Sequence, residues 1–160
     1  MAKITTIPIT QAITNIAATL NKNTGASAIT GADGALPSVT NLIAITTAGS
    51  EGSLIKSLWV TSTDTAAKVV QLWIGASGQT SPATAVRPFA SINIPIGSGW
   101  ASGTTVGVDL LANSVLIGLP YDALGKPFLY LPAGQSLYAG TTAALTTLLY
   151  VSFNGVQEDF

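Results

Sequence analysis

Hydrophobic and polar residues alternate along this chain in short runs, with the two-residue period of strands. In the run VVQLWI, Val70, Leu72 and Ile74 share one face, while Val69, Gln71 and Trp73 share the other. In the preceding run, Leu58 and Val60 face away from Ser57, Trp59 and Thr61. Each run therefore offers an aliphatic face to a core and sets a tryptophan on the opposite side. The polar Thr61–Thr65 segment (TSTDT) between them predicts a β-hairpin with a longer loop across Ser53–Gly75.

The same grammar predicts strands in Ser38–Thr47, in Thr84–Ile96, in Phe128–Leu131, in Ser136–Gly140 and in a closing run at Thr147–Phe153. Val108–Leu119 adds two short apolar runs on either side of Asn113. Pro88 and Pro95 make the Thr84–Ile96 strand an edge or bent strand, because proline cannot donate to a ladder. Turns rich in Gly, Pro and Ser fall at Ala48–Gly52, Ala76–Pro82, Pro120–Pro127 and Pro132–Gln135. No stretch sustains a capped helical period. The pattern predicts an all-β chain, a single jelly-roll-like β-sandwich domain with an extended N-terminal arm.

Residues 1–38 stand apart. Ala2–Thr10 is β-branched and extended around Pro8, Gln11–Leu20 has room for one or two helical turns, and Asn21–Pro37 is Gly/Ala/Asn loop. The region reads as an arm lying along a neighbour or along its own domain, or else as a first strand plus a long loop. The division that follows is arm and loop over 1–38 and sandwich over 39–160. Asn154–Phe160 reads as a solvated acidic tail.

Composition sharpens this picture. Hydrophobic residues make up 48% of the 160 residues and charged residues 8%, against about 25% charged in an ordinary globular domain. A surface so poor in charge predicts coverage by partner chains; the plainer reading is a neutral, Thr/Ser-rich soluble domain. The net charge is −1, and Lys3, Lys22, Lys56, Lys68, Arg87 and Lys126 are scattered. No basic stripe suits phosphate neutralisation or anionic lipid, so neither nucleic acid nor membrane is an expected partner. No window approaches the ~18 apolar residues of a spanning helix. The start MAKITTIPIT lacks the apolar core of a secretory signal.

Chemistry is scarce. With no cysteine and no histidine, disulfides, thiolate catalysis, the commonest general base and most zinc, copper and iron sites drop out. Asp109 and Asp122 flank one apolar run but define no catalytic pair, and Glu158–Asp159 alone makes no calcium site. Gly97, Gly99 and Gly103 miss the dinucleotide spacing by one, and no helix follows them. No catalytic residue, cofactor or metal is expected, and the chain does not read as an enzyme. The aromatics remain. Tyr130 and Tyr150 read as core residues. Trp59 and Trp73 fit an interface, a second core or a sugar-stacking platform. The candidate subunit-interface residues are Trp59, Trp73 and Trp100, with Ile4, Ile7, Ile9 and Phe160.

Three segments in order carry a resemblance. TAGSEGS at Thr47–Ser53 runs straight into LIKSLWV; VVQLWIG follows at Val69–Gly75; LPAGQSLYAG at Leu131–Gly140 precedes a final strand and GVQEDF. Together they resemble small all-β virion proteins of tailed bacteriophages, of the capsid-decoration (cement) or tail-accessory type. The likeness covers roughly Val39–Ile96 and Leu131–Phe160. It implies a non-enzymatic virion protein of one of those two types. The reading that follows is a capsid decoration protein on the virion surface, associating as a homotrimer and binding the major capsid protein. The alternatives are a tail or head-fibre component, and a carbohydrate-binding β-sandwich using its tryptophans.

Overall fold

In the computed structural model the alternating runs form two antiparallel sheets packed face to face, a β-sandwich. The structure describes residues 12–21, 42–78, 86–99, 107–112, 118–143, 145–146 and 149–160. The strands are β1 (Ala12–Asn21), β2 (Ile43–Thr47), β3 (Ser53–Ser62), β4 (Lys68–Ala76), β5 (Val86–Ile94), β6 (Val108–Asp109), β7 (Leu129–Leu131), β8 (Gln135–Thr141) and β9 (Tyr150–Asp159). One sheet runs β1-β9-β3-β6, with β7 also paired to β3; the other runs β2-β8-β4-β5. The inner faces meet in one core built on Ile16, Leu20, Ile55, Leu58, Val60, Val70, Leu72, Ile92, Ile94, Leu137, Val151 and Phe153, among others. Each such side chain contributes about 1.5–3 kcal/mol by leaving water.

Three sequence expectations need correction. First, Ser53–Gly75 is not a hairpin: β3 and β4 lie in different sheets. A hairpin would set the two aliphatic faces side by side. Instead residues 63–67 cross the sandwich, and Leu58 and Val60 join Val70 and Leu72 in one core. Asp64 holds this crossing. Its carboxylate accepts from the Ala66 amide (3.0 Å), the Thr146 amide (2.9 Å) and the Thr146 hydroxyl (3.0 Å), with the Lys68 ammonium at 3.5 Å.

Second, Gln11–Leu20 forms no helical turn among its described residues. Ala12–Asn21 is a strand, paired without interruption along β9 from Ala12↔Asp159 to Asn21↔Tyr150. Ile16 and Leu20 are buried in the core with Ala18 half-buried between them, Thr14 on the same side is exposed, and Ile13, Asn15, Ala17 and Thr19 are exposed on the other. Short alanines and threonines blurred that period in the sequence. The first-strand alternative therefore describes this segment, and the sandwich begins well before residue 39. Residues 1–11 and 22–41, including the rest of the expected arm, lie outside the described residues.

Third, the acidic tail is not a tail. β9 continues through Asp159 as the strand between β1 and β3. Beyond it, Phe160 exchanges backbone hydrogen bonds with Gly52 (3.1 Å) and Glu51 (3.3 Å). The edge expectation for the proline-bearing strand does agree: β5, with Pro88, ends its sheet.

The ladder between β3 and β9 carries a bulge. Register shifts between Ile55 and Ser57, so Lys56 and Ser57 together oppose Val156. The extra residue reverses the parity of β3, which is how Ile55 and Leu58, three apart, both face the core. Gly155 sits against this bulge, where a Cβ would run into the Ser57 carbonyl oxygen. At the end of the sandwich, Asp159 gathers a polar network. Ser53 Oγ donates to it at 2.6 Å, Gln157 Nε2 at 2.5 Å and Thr14 Oγ1 at 2.8 Å. Gln157 spans both sheets, accepting from Thr46 Oγ1 (2.7 Å) and donating to the Thr47 carbonyl (2.9 Å).

Gly155→Ala is expected to lower stability by about 2 kcal/mol or more, because backbone must move to admit the methyl. Urea unfolding measures it; a neutral substitution would mean the bulge yields freely. Acid should weaken the fold for a second reason. Burial alone raises the carboxyls of Asp159 and Asp64. Hydrogen bonds from Ser53, Thr14, Gln157 and the Gly49 amide outweigh it at Asp159, and those from Thr146 and Ala66, with Lys68, outweigh it at Asp64. Both carboxyls therefore sit below the ordinary value. Their stabilisation is complete above the unfolded-state value near ~4 and is lost as pH falls through the folded one. Unfolding midpoints should fall as pH drops below about 4, and Asp159→Asn should flatten that slope while lowering stability at pH 7 by about 1–3 kcal/mol.

Candidate functional site

The outer face of the β1-β9-β3 sheet concentrates exposed apolar surface. Two rows of paired residues cross it. One is Ile13, Glu158, Leu54 and Tyr130; the other is Ala17, Asn154, Trp59 and Asp109. Ile13, Trp59 and Tyr130 are exposed there, Trp59 by 41%. The strand period explains the placement, since Trp59 lies between the inward Leu58 and Val60.

Residues 118–128 extend this face. Asp122 Oδ1 accepts from the amides of Leu124 and Lys126, both at 2.9 Å, and the Asp122 amide donates to the Lys126 carbonyl at 2.9 Å. The Lys126 amide is the chief reason the Asp122 carboxyl lies below its ordinary value; burial opposes it, and Leu124 and Lys56 assist. The turn so closed displays Tyr121 and Leu124 at its tip, both strongly exposed. Lys56, the bulge residue of β3, fastens the turn to the sheet. Its ammonium lies 3.7 Å from Asp122, 3.9 Å from Glu158 and 5.6 Å from the Phe128 ring centroid.

Between turn and sheet lies an open cleft of about 330 Å³. Trp59, Ser57 and Lys56 line it from β3, Asp109, Leu111 and Ala112 from β6 and its following turn, and Lys126 and Pro127 from the loop. Asp109 Oδ1 is held by the amides of Leu111 (3.0 Å) and Ala112 (3.2 Å). The cleft therefore presents an aromatic face beside one carboxylate and two ammonium groups. Among the described residues no group of three or more acids gathers as a metal site, and no helix is long and apolar enough to cross a membrane.

The structure separates the expected interface residues. Trp59 is exposed on the first sheet. Trp73 does point away from the main core, as its alternation predicts, but it is only 6% exposed. It packs with Tyr138, Val86 and Leu42 on the outside of the other sheet. As an exposed anchor it is a correction: the paired Tyr138 across the ladder, whose hydroxyl donates to the Ala76 carbonyl at 2.7 Å, covers it. The two tryptophans thus belong to opposite outer faces and form no joint surface. Tyr130, expected in the core, is on the exposed face. Phe160 is half-buried against the Gly52 turn. Trp100, Ile4, Ile7 and Ile9 lie outside the described residues. Sequence reasoning missed Lys56, Tyr130 and the loop tip. Asp122 with Gly125 three residues on was the one local signal of a built turn.

Trp59→Ala should leave the urea midpoint of the isolated protein within about 1 kcal/mol of the parent, as surface changes do. Trp73→Ala should cost about 3–5 kcal/mol, as loss of a buried tryptophan does. Equal losses would remove Trp59 from the list of surface residues. No protein-family model, curated protein or solved structure matches this chain.

Proposed function

We propose that this chain is a structural virion subunit, a capsid decoration protein that docks on the outside of a shell and braces it. The observation that carries this reading is the exposed apolar face around Trp59, Tyr130 and Ile13, continued by Tyr121 and Leu124, on a chain with so few charges. A patch of this kind suits a contact with another protein, which supports the reading. The strand order supports it: with β6 and β7 sharing one position, β1-β9-β3-β6 over β2-β8-β4-β5 is the order of a jelly roll, an architecture that capsid proteins use. The sequence resemblance to phage virion proteins points the same way, and trimers seated over junctions between major capsid subunits belong to the same proposal.

The mechanism is mechanical. Each copy buries apolar surface against the shell, gaining about 25 cal/mol per Å² before association costs are subtracted. Repetition of one modest contact over the whole surface resists internal pressure by avidity. Tail or fibre placement would use the same face with fewer copies. A second reading, glycan binding, is favoured by the cleft alone, where Trp59 stands beside Asp109, Lys56 and Lys126.

Particles assembled without this protein, or with Trp59→Ala and Leu124→Ser together, should lose heat and osmotic resistance. Bound copies should sit on the shell by cryo-electron microscopy. Mutant particles as robust as complete ones would end the bracing role, and glycan-array binding abolished by Trp59→Ala would favour the second reading instead.

A further inference from the structure

A sandwich has four edge strands, and three of those described here are blunted. β6 and β7 have two and three residues. β2 has five, with a register break between Ala44 and Thr46. β5 carries Arg87 and Pro88, and its ladder to β4 slips between Leu72 and Trp73. Short strands, prolines, charges and bulges are the devices by which sheets avoid pairing with strangers.

β1 uses none of them. It has ten residues (AITNIAATLN), without proline, glycine or a charged side chain. Its pairing to β9 is regular throughout, and among the described residues no strand hydrogen-bonds its other edge, although β2 of the opposite sheet packs near it. Ile13, 70% exposed, stands on it.

We infer that the outer edge of β1 is a pairing site, and that its occupant is β1 of a second copy of this chain, added antiparallel about a two-fold axis. This inference does not rest on the virion reading. Two arguments select a second copy. A strand bearing charges would set them beside an edge that offers no counter-ion, whereas β1 itself brings none. The sequence is also self-complementary in the allowed registers. Residues opposite each other in an antiparallel pair point to the same face, so the axis must pass through a residue rather than between two. Centred on Ile16, the pairing sets Asn15 against Ala17 and Ile13 against Thr19 on the outer face; centred on Ala17, it sets Ala17 against its own copy and Asn15 against Thr19. Neither register opposes like charges or mismatches inward and outward sides. The contact joins the two sheets into one that runs through both molecules, a β-augmentation by self-pairing. It links two chains, or two trimers where the three-fold contact proposed above also forms.

The test is the mass of the purified full chain by light scattering, at tens of micromolar. An even number of copies is expected. The variant Asn15→Lys with Ala17→Lys changes two exposed positions and places ammonium groups across the axis in either register. It should keep the parent's circular dichroism and melting curve but halve the mass, with the midpoint concentration for association raised at least tenfold. Asn15→Glu with Ala17→Glu should do the same. Mixing the lysine and glutamate variants should restore the parental mass, a rescue that general damage to the fold cannot produce. A parent chain with one or three copies, a mass unmoved by the lysine variant, or a mixture that stays halved would each overturn the inference.

Discussion

The fold depends on β9 lying tight against β3. There the β3 backbone comes so near that a Cβ at position 155 would strike the Ser57 carbonyl, and only glycine permits it. Everything on that sheet is then set. The bulge at Lys56 flips the parity of β3, so Ile55 can turn inward while Lys56 turns out. Lys56 in turn anchors the 118–128 turn through Asp122, Glu158 and the Phe128 ring. The exposed apolar face and its cleft are therefore consequences of one crowded crossing. The other end of β9 has a comparable role in polar terms. Asp159 and Gln157 satisfy each other and draw on β1, β2 and β3, so a half-buried carboxylate and a buried amide are stable there because every neighbouring strand supplies a partner.

Much of the fold was legible because β-sandwich strands carry a strict two-residue period. β4 and the core residues of β5 were readable from Val70, Leu72, Ile74, Ile92 and Ile94. What failed did so for identifiable reasons. The period says which face a residue takes but not which sheet its strand joins, so Ser53–Gly75 passed for a hairpin. The decisive residue was Asp64, which accepts locally from the Ala66 amide and, 82 residues away in sequence, from the amide and hydroxyl of Thr146. β1 was hidden because alanine and threonine serve on either face with little hydropathy contrast. β9 was cut short because Asn154-Gly155 is ordinarily a turn pair; here the glycine answers to a steric demand from Ser57 on another strand, which no local reading contains.

The candidate face was half legible. Alternation did turn both tryptophans away from the main core. It could not tell that Trp73 has a tyrosine beside it on the next strand while Trp59 has Asn154 and Asp109, which leave its ring open. Pairing across a ladder, not position along a strand, decides whether an outward aromatic is covered. The same reasoning explains Tyr130. Its alternation within a three-residue strand was too short to read, yet the register that pairs it with Leu54 sets it firmly on the outer face.

Scarcity of charge acquires a sharper meaning from this geometry. Several of the described charges are engaged within the molecule, Lys56 with Asp122 and Glu158, Lys68 beside Asp64, and Asp159 within its network, while Glu51, Arg87 and Lys126 stay exposed. β1 carries none, whereas the outer face sets Glu158, Asp109 and Lys56 among its apolar residues. A free monomer ordinarily keeps its charges outside, where they suppress association. Along β1 that protection is absent. An uncharged ten-residue edge has the least to hold a second strand away.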